Sequence, residues 1–189
     1  MSNELVLDSL QRRMRALFSL YEEATSTMSI EQVNHREREV ILPMAFSLFH
    51  YINMIDAAHM MLAGEAPIYN EDWAKRIRPA IDDHGKHRTV EEMQFQQIGN
   101  YEGFIDYMNA VFARIEQWLA QLPAAELERL VIPRPFPPQI ASTFSARVAG
   151  EKGITVLDGT ECWIYQHGLR HMGEIELSRS FVGLRGLTS

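Results

Sequence analysis

Two histidines in the last quarter of the chain have the spacing of metal ligands on a helix. His167 and His171 are four residues apart, which places both imidazoles on one face of an α-helix, with Cβ atoms about 5–6 Å apart. The apolar residues around them indicate that the helix is partly buried, and a buried imidazole needs a polar partner. From this pair alone, a shared metal ion and hydrogen bonds to neighbouring residues explain the two rings equally well.

A third ligand must come from elsewhere in the chain, because two histidines are too few for a zinc-type site. His50 lies in a run that is apolar on nearly all sides, where a histidine is either a hydrogen-bonded core residue or a ligand. From its own surroundings alone, His50 is better interpreted as a hydrogen-bonded core residue than as a ligand. If His50 points inward near the level of His167 and His171, three imidazoles converge. Such a site keeps positions open for water or substrate, as catalytic metal sites do.

Four long helices must position these histidines. Apolar residues at spacings of three and four predict these helices over residues 3–28, 36–62, 100–122 and 158–183. Asp158 and Glu161 have the spacing of a capping box and predict the last helix start. Pro43 predicts either a kink in the second helix or its true first turn. The pattern predicts an all-α four-helix bundle, in which facing side chains are a usual place for metals.

The connections between these helices carry further predictions. Residues 65–98 are the least regular part, with a short helix from Asn70 or Glu71 to Ile77, and His84 and His87 as solvated loop residues. His59 follows His50 by nine positions, which places the two side chains on about opposite sides of the helix. His59 is therefore predicted to be a rim or surface residue. Partial alternation over residues 140–149, followed by a turn and a short second strand, predicts a small β-hairpin before the last helix.

Composition restricts the class of protein. The 189 residues suit one domain over residues 1–189, and the net charge of −7 argues against a nucleic-acid partner. Cys162 is the only cysteine, so neither an intramolecular disulfide nor a thiolate cluster is expected, and it is interpreted as a small hydrophobe rather than a reactive thiol. The absence of a signal-peptide pattern and of an apolar run of about 18 residues predicts a cytoplasmic protein without a membrane partner.

Several common catalytic motifs are absent from the sequence. No glutamate is followed three residues later by histidine, which disfavours ferritin-like di-iron chemistry. Gly168 follows His167, so the zinc protease motif His-Glu-x-x-His is missing as well. Neither Gly-x-Ser-x-Gly nor a phosphate-binding glycine loop is present. These absences leave the histidines as the strongest chemical signal in the chain.

The chain resembles the DinB/YfiT-like family of metal-dependent bundle proteins over nearly its whole length. The resemblance rests on His50, on the sequence His167-Gly-Leu-Arg-His171-Met-Gly-Glu, and on a proline-rich and short extended segment before the last helix. It implies that His50, His167 and His171 bind a divalent ion such as zinc, nickel or iron, and often a homodimer. Some relatives are thiol-dependent transferases or isomerases that use low-molecular-weight thiols, while many have no known substrate.

Two features depart from the family pattern. Glu174 stands where many members have glutamine, and residues 65–98 form an unusually long insertion. Glu174 lies one turn beyond His171, so it either orients a histidine, ligates the metal or acts as a general base on bound water. An ion pair with Arg170 or another nearby base explains it equally well.

Three functional hypotheses follow. The first is a metalloenzyme, either a hydrolase or a low-molecular-weight-thiol transferase, in which the three histidines hold an ion that activates water or a thiol. The second is a bundle that binds a small molecule or a metal without turnover. The third is a helical oligomerisation module with buried structural histidines. The sequence names neither the metal nor the small-molecule substrate, because three imidazoles suit several first-row ions.

Overall fold

The computed structural model describes residues 2–187, which fold mainly into helices. In chain order the α-helices are α1 (Asn3–Ser26), α2 (Ile30–Val33), α3 (Met44–Ala63), α4 (Glu71–Ile77), α5 (Val90–Met93), α6 (Tyr101–Gln121), α7 (Pro138–Ala141), α8 (Phe144–Val148), α9 (Val156–Gly159) and α10 (Gln166–Phe181). A 3₁₀-helix covers Ala124–Glu128 and a π-helical segment covers Thr160–Tyr165. The strands are β1 (Leu130–Pro133) and β2 (Gly153–Thr155).

The four long helices pack side by side in a closed ring. Helix α1 packs against α6, α6 against α3, α3 against α10, and α10 against α1. Apolar side chains from all four meet in one core, as the completely buried Leu10, Leu48, Phe104 and Ile175 illustrate. The predicted all-α four-helix bundle is therefore confirmed. Among residues 2–187, no helix combines the length and the apolar character needed to cross a membrane.

Helix α3 begins later than the sequence predicted. Pro43 is its N-cap, with an extended backbone at φ −66° and ψ 156°, so the helix starts at Met44 and not at residue 36. Proline suits a helix start because it has no N–H to contribute to the helix interior. At the other end, Gly64 adopts a left-handed conformation with φ 77° and donates its N–H to the Met60 carbonyl. His50 thus lies in the second turn of a 20-residue helix.

The last long helix is continuous but begins earlier than predicted. Thr155 caps it, and the capping box pairs Thr155 with Asp158, so helical structure starts at Val156. The predicted box between Asp158 and Glu161 is wrong, because the Asp158 side chain accepts from the Thr155 backbone and hydroxyl instead. Helical structure then runs through the π-helical segment into α10, which ends at Phe181 ahead of the left-handed Gly183.

A short antiparallel strand pair precedes the last helix, as predicted, although its first strand lies elsewhere. Strands β1 and β2 pair with Leu130 opposite Thr155 and Pro133 opposite Gly153. Residues 140–149 fall in α7 and α8 instead. The Thr143 side chain accepts from the Ala146 N–H and caps the start of α8. This local cap stabilises a helix where the alternation of apolar residues had predicted a strand.

Two glycines on α10 provide a matched test of helix packing. A Cβ at Gly168 would lie 2.5 Å from the Tyr51 hydroxyl and 2.6 Å from a Leu17 methyl, whereas a Cβ at Gly173 would meet no atom within 4 Å. We expect Gly168→Ala to lower the free energy of unfolding by about 1–3 kcal/mol through overpacking. Gly173→Ala should raise it by up to about 1 kcal/mol, because alanine favours helix. Urea denaturation measures both, and a Gly168→Ala variant as stable as the wild type would contradict the close approach.

Candidate metal centre

Three histidines from two neighbouring helices lie close together. Helix α3 contributes His50, and α10 contributes His167 and His171. The centroid of the His50 ring is 5.2 Å from that of His167 and 5.0 Å from that of His171, and the latter two are 4.6 Å apart. All three side chains are half-buried. One nitrogen from each lies within 4.8 Å of the others, so the group can hold a metal ion.

Close packing between α3 and α10 brings the rings together. Gly168, directly after His167, faces Tyr51, directly after His50, and has no side chain to keep the helices apart. The Tyr21 hydroxyl donates to the Gly168 carbonyl at 2.9 Å, which ties α1 to the same point. Ring contacts also support His50, since Phe46 stacks on it with centroids 5.2 Å apart. The histidine group is therefore built on rigid, packed elements.

The outer ring nitrogens of His50 and His171 have hydrogen-bond acceptors. The Nδ1 of His171 donates to the Glu174 carboxylate at 2.7 Å, and the Nδ1 of His50 contacts the His84 carbonyl. Carboxylate and carbonyl oxygens can only accept, so these ring nitrogens carry the proton. The opposite nitrogen of each neutral ring is then free to bind a metal, as in the outer shells of known metal sites.

Two facing nitrogens make the fit to a cation specific. The Nε2 atoms of His167 and His171 are 2.9 Å apart. If both outer nitrogens are protonated, both Nε2 atoms present lone pairs, and neither can donate to the other. Imidazole nitrogens bind zinc at about 2.0–2.1 Å, a distance that lets one ion contact both atoms. The residues present therefore fit a divalent ion.

The histidine pKa values favour metal binding at neutral pH. Burial lowers the pKa of His50 to about 4, partly opposed by its contact with the His84 carbonyl. Burial, together with the charges of His171 and His50, lowers the pKa of His167 to about 3. Metal ligation requires neutral imidazole. Both side chains are in that form at pH 7.

Glu174 is positioned to orient a histidine. Burial acts to raise its pKa, but hydrogen bonds from His171 and Ser47 and the charge of His171 outweigh burial and lower it. The Ser47 hydroxyl donates to Glu174 Oε2 at 2.7 Å, the same oxygen that accepts from His171. Of the roles that the sequence left open, the contacts match that of a carboxylate fixing the His171 ring. Arg170 is not its ion-pair partner among residues 2–187; His171 is.

The long connection over residues 65–98 supplies a contact that the sequence did not indicate. The His84 carbonyl reaches His50 because the next residue, Gly85, has φ 72° and packs against Phe46, where a Cβ would lie 2.8 Å from the ring. Asp83 accepts from the Gly85 N–H at 2.7 Å and pairs with Arg88 through two nitrogens. This loop therefore helps to fix the orientation of His50.

A second group in the same loop is a poorer cation site. Asp83, His84 and His87 also bring ligand atoms within 4.8 Å of one another. Both Asp83 oxygens, however, already accept from Arg88, so a cation would have to displace a guanidinium. His87 is exposed, as predicted, whereas His84 is half-buried.

Two predictions about other residues have different outcomes. His59, predicted to lie on the rim, is 1% exposed. The face of α3 opposite His50 is also buried, and His59 packs edge-on against Trp118. Its Nε2 lies 3.5 Å from the Glu65 carboxylate, and neither ring nitrogen forms a hydrogen bond within residues 2–187. Cys162 is buried, as a small hydrophobe would be, and burial raises the pKa of its thiol to about 11.

No family model matches the chain, and no curated protein matches it. Among solved structures, the chain is similar to the crystal structure of a conserved protein from Enterococcus faecalis, with a TM-score of 0.74 and 17% sequence identity. The match covers 96% of this chain and 98% of that chain. At this identity the likeness shows a shared fold alone. Fold and site together define a helical bundle with a three-histidine group that can hold a metal ion.

Metal-free protein is expected to lose stability as the pH falls from about 7.5 to about 5.5. The folded-state pKa values of His50 and His167, about 4 and about 3, lie below the value of about 6.5 for an unfolded histidine. In this window the unfolded chain gains protons that the folded chain does not. Stability is therefore greatest above about pH 6.5 and falls below it, by about 1 kcal/mol for each histidine.

Urea denaturation of chelator-treated protein at the two pH values measures this loss. The double variant His50→Gln/His167→Gln serves as the control and should lose less stability over the same interval, because glutamine does not titrate. Wild-type stability that stays constant or rises on acidification would contradict the pKa assignments.

Proposed function

We propose that this protein is a metal-dependent enzyme of the DinB/YfiT-like kind, with His50, His167 and His171 as the ligands of one divalent ion. The convergence of three imidazoles, with acceptors behind the outer nitrogens of His50 and His171, carries the proposal. Zinc, nickel and iron all accept imidazole ligands. The proposal keeps the cytoplasmic location and the homodimer that the sequence and the resemblance predict.

A divalent ion with three protein ligands keeps coordination positions open and lowers the pKa of a water or thiol bound there. We therefore propose a hydrolase or a low-molecular-weight-thiol transferase acting on a small molecule. A cavity lined in part by His50 and His167 supports this choice, because it offers space for a small molecule beside two of the three histidines. With a thiol pKa of about 11, Cys162 is a poor nucleophile. In a transferase, the thiol would come from a second small molecule.

Glu174 acts in this proposal as a positioning residue. Its lowered pKa makes it a weak proton acceptor at pH 7, since an effective general base has a pKa near the working pH. Its contacts with Ser47 and His171 support a role in holding the His171 ring. Ser47 in turn fixes the carboxylate from α3, so both helices contribute to the orientation of one ligand.

Metal titration of purified protein tests the proposal. After chelation and dialysis, the wild type should bind one equivalent of zinc or nickel, and His167→Ala should lose that stoichiometric binding, because two ligands remain. His87→Ala is the matched control, since it removes an exposed histidine from the second group, and it should retain one equivalent. Loss of metal binding in His87→Ala, with binding retained in His167→Ala, would contradict the proposal and indicate that the metal binds to the 83–87 loop.

Turnover assays separate the enzyme from the two other hypotheses. Metal-loaded protein should hydrolyse a simple aryl ester or join a low-molecular-weight thiol to an activated aryl halide, and His171→Ala should abolish that activity. One equivalent of metal without turnover in either assay would favour a binding bundle. A fully folded protein without stoichiometric metal would favour an oligomerisation module with structural histidines.

A further inference from the structure

A largely apolar cavity of about 410 Å³ lies beside His50 and His167. Its apolar lining includes Met54 and Met61 from α3 and Phe144 from α8. The volume lies in the range of about 300–1,000 Å³ that is usual for small-molecule sites. The cavity therefore suits one small molecule with a substantial apolar part.

The fold leaves large apolar side chains uncovered at this cavity. Met60 is 46% exposed, Met61 is 42% exposed and Phe144 is 50% exposed. Neighbouring exposed apolar side chains mark binding sites, and methionine adapts its shape to a ligand. Met60 follows His50 by ten residues on α3, a distance of about 15 Å along the helix axis. An apolar group of that length can lie along the helix.

Two cationic side chains line the cavity together with His50 and His167. Lys86 follows His84, whose carbonyl contacts His50, by two residues, and Arg170 lies one turn beyond His167; both line the cavity and are exposed. Neither forms an ion pair with a carboxylate in the described part of the chain, whereas Arg88 is paired with one. Within residues 2–187, no acidic side chain lines this cavity.

We infer that the site accepts an amphiphilic anion, with its apolar chain along residues 54–61 and its anionic group bound by Lys86 and Arg170. This inference rests on the proposed function, since it names the substrate class of the same site. In a chain with a net charge of −7, two unpaired cations that line one cavity favour an anion there. The atoms next to the anionic group are then those nearest to His50 and His167, which line the same cavity.

Binding of three probes with the same ten-carbon chain tests the inference. Decanoate, decanol and decyltrimethylammonium differ in head-group charge alone, and calorimetric titration gives the dissociation constant of each. Wild-type protein should bind decanoate about tenfold more tightly than decanol, and the ammonium probe most weakly. Titrations of both metal-loaded and chelator-treated protein separate binding by the cations from ligation of the carboxylate to the metal.

Charge-matched variants assign the selectivity to residues. Lys86→Gln/Arg170→Gln should bind decanoate and decanol about equally, a loss of about tenfold for the anion. Arg12→Gln/Lys75→Gln removes the same charge at exposed positions outside the cavity and should keep the preference. Ala57→Phe, a substitution in the cavity wall, should weaken decanoate and decanol alike.

Each outcome of these titrations either supports or overturns the proposed binding of an amphiphilic anion. A preference for decanoate in chelator-treated wild type that disappears with Lys86 and Arg170 supports the inference. Equal binding of the three probes, no binding, or a preference confined to the metal-loaded protein overturns it. Equal loss in both double variants also overturns it, because net charge would then explain the result. None of these outcomes depends on turnover, and metal titration tests the metal centre separately.

Discussion

The close approach of α3 and α10 at Gly168 is the constraint on which the histidine group depends. At this point the Tyr51 hydroxyl and a Leu17 methyl occupy the space that any side chain at position 168 would need. Tyr51 follows His50 and Gly168 follows His167, so the same contact sets the distance between the rings. The Tyr21 hydroxyl, which donates to the Gly168 carbonyl, ties a third helix to this contact. The packing of the bundle core therefore also determines the geometry of the candidate site.

Partial burial of three imidazoles has a cost that a metal ion would offset. Burial lowers the pKa of His50 and His167, so both rings remain neutral at pH 7. The inner Nε2 atoms of His167 and His171 face each other at 2.9 Å. Acceptors from two places hold the outer nitrogens of His50 and His171: the 83–88 loop and the Glu174 carboxylate. The inner nitrogens have no protein donor that could satisfy their lone pairs within residues 2–187, and a cation would do so. This distinguishes the group from buried histidines paired with protein neighbours.

Sequence patterns predicted the elements better than the contacts between them. The apolar spacing located the long helices, and the four-residue spacing of His167 and His171 was decisive because helix geometry is local. Helical periodicity also placed His59 correctly on the side of α3 opposite His50, but that side is buried too, since α3 packs against both α6 and α10. The contacts from the His84 carbonyl and Ser47 depend on tertiary packing. The only hint for Ser47 was a polar residue one turn before His50.

X-ray absorption spectroscopy at the metal edge of the loaded protein tests the central claim most directly. Three histidines around one zinc ion predict nitrogen scatterers at about 2.0–2.1 Å, the multiple-scattering pattern of imidazole, and no sulfur at about 2.3 Å. A spectrum with fewer than three imidazoles, or with a sulfur ligand from Cys162, would contradict the account.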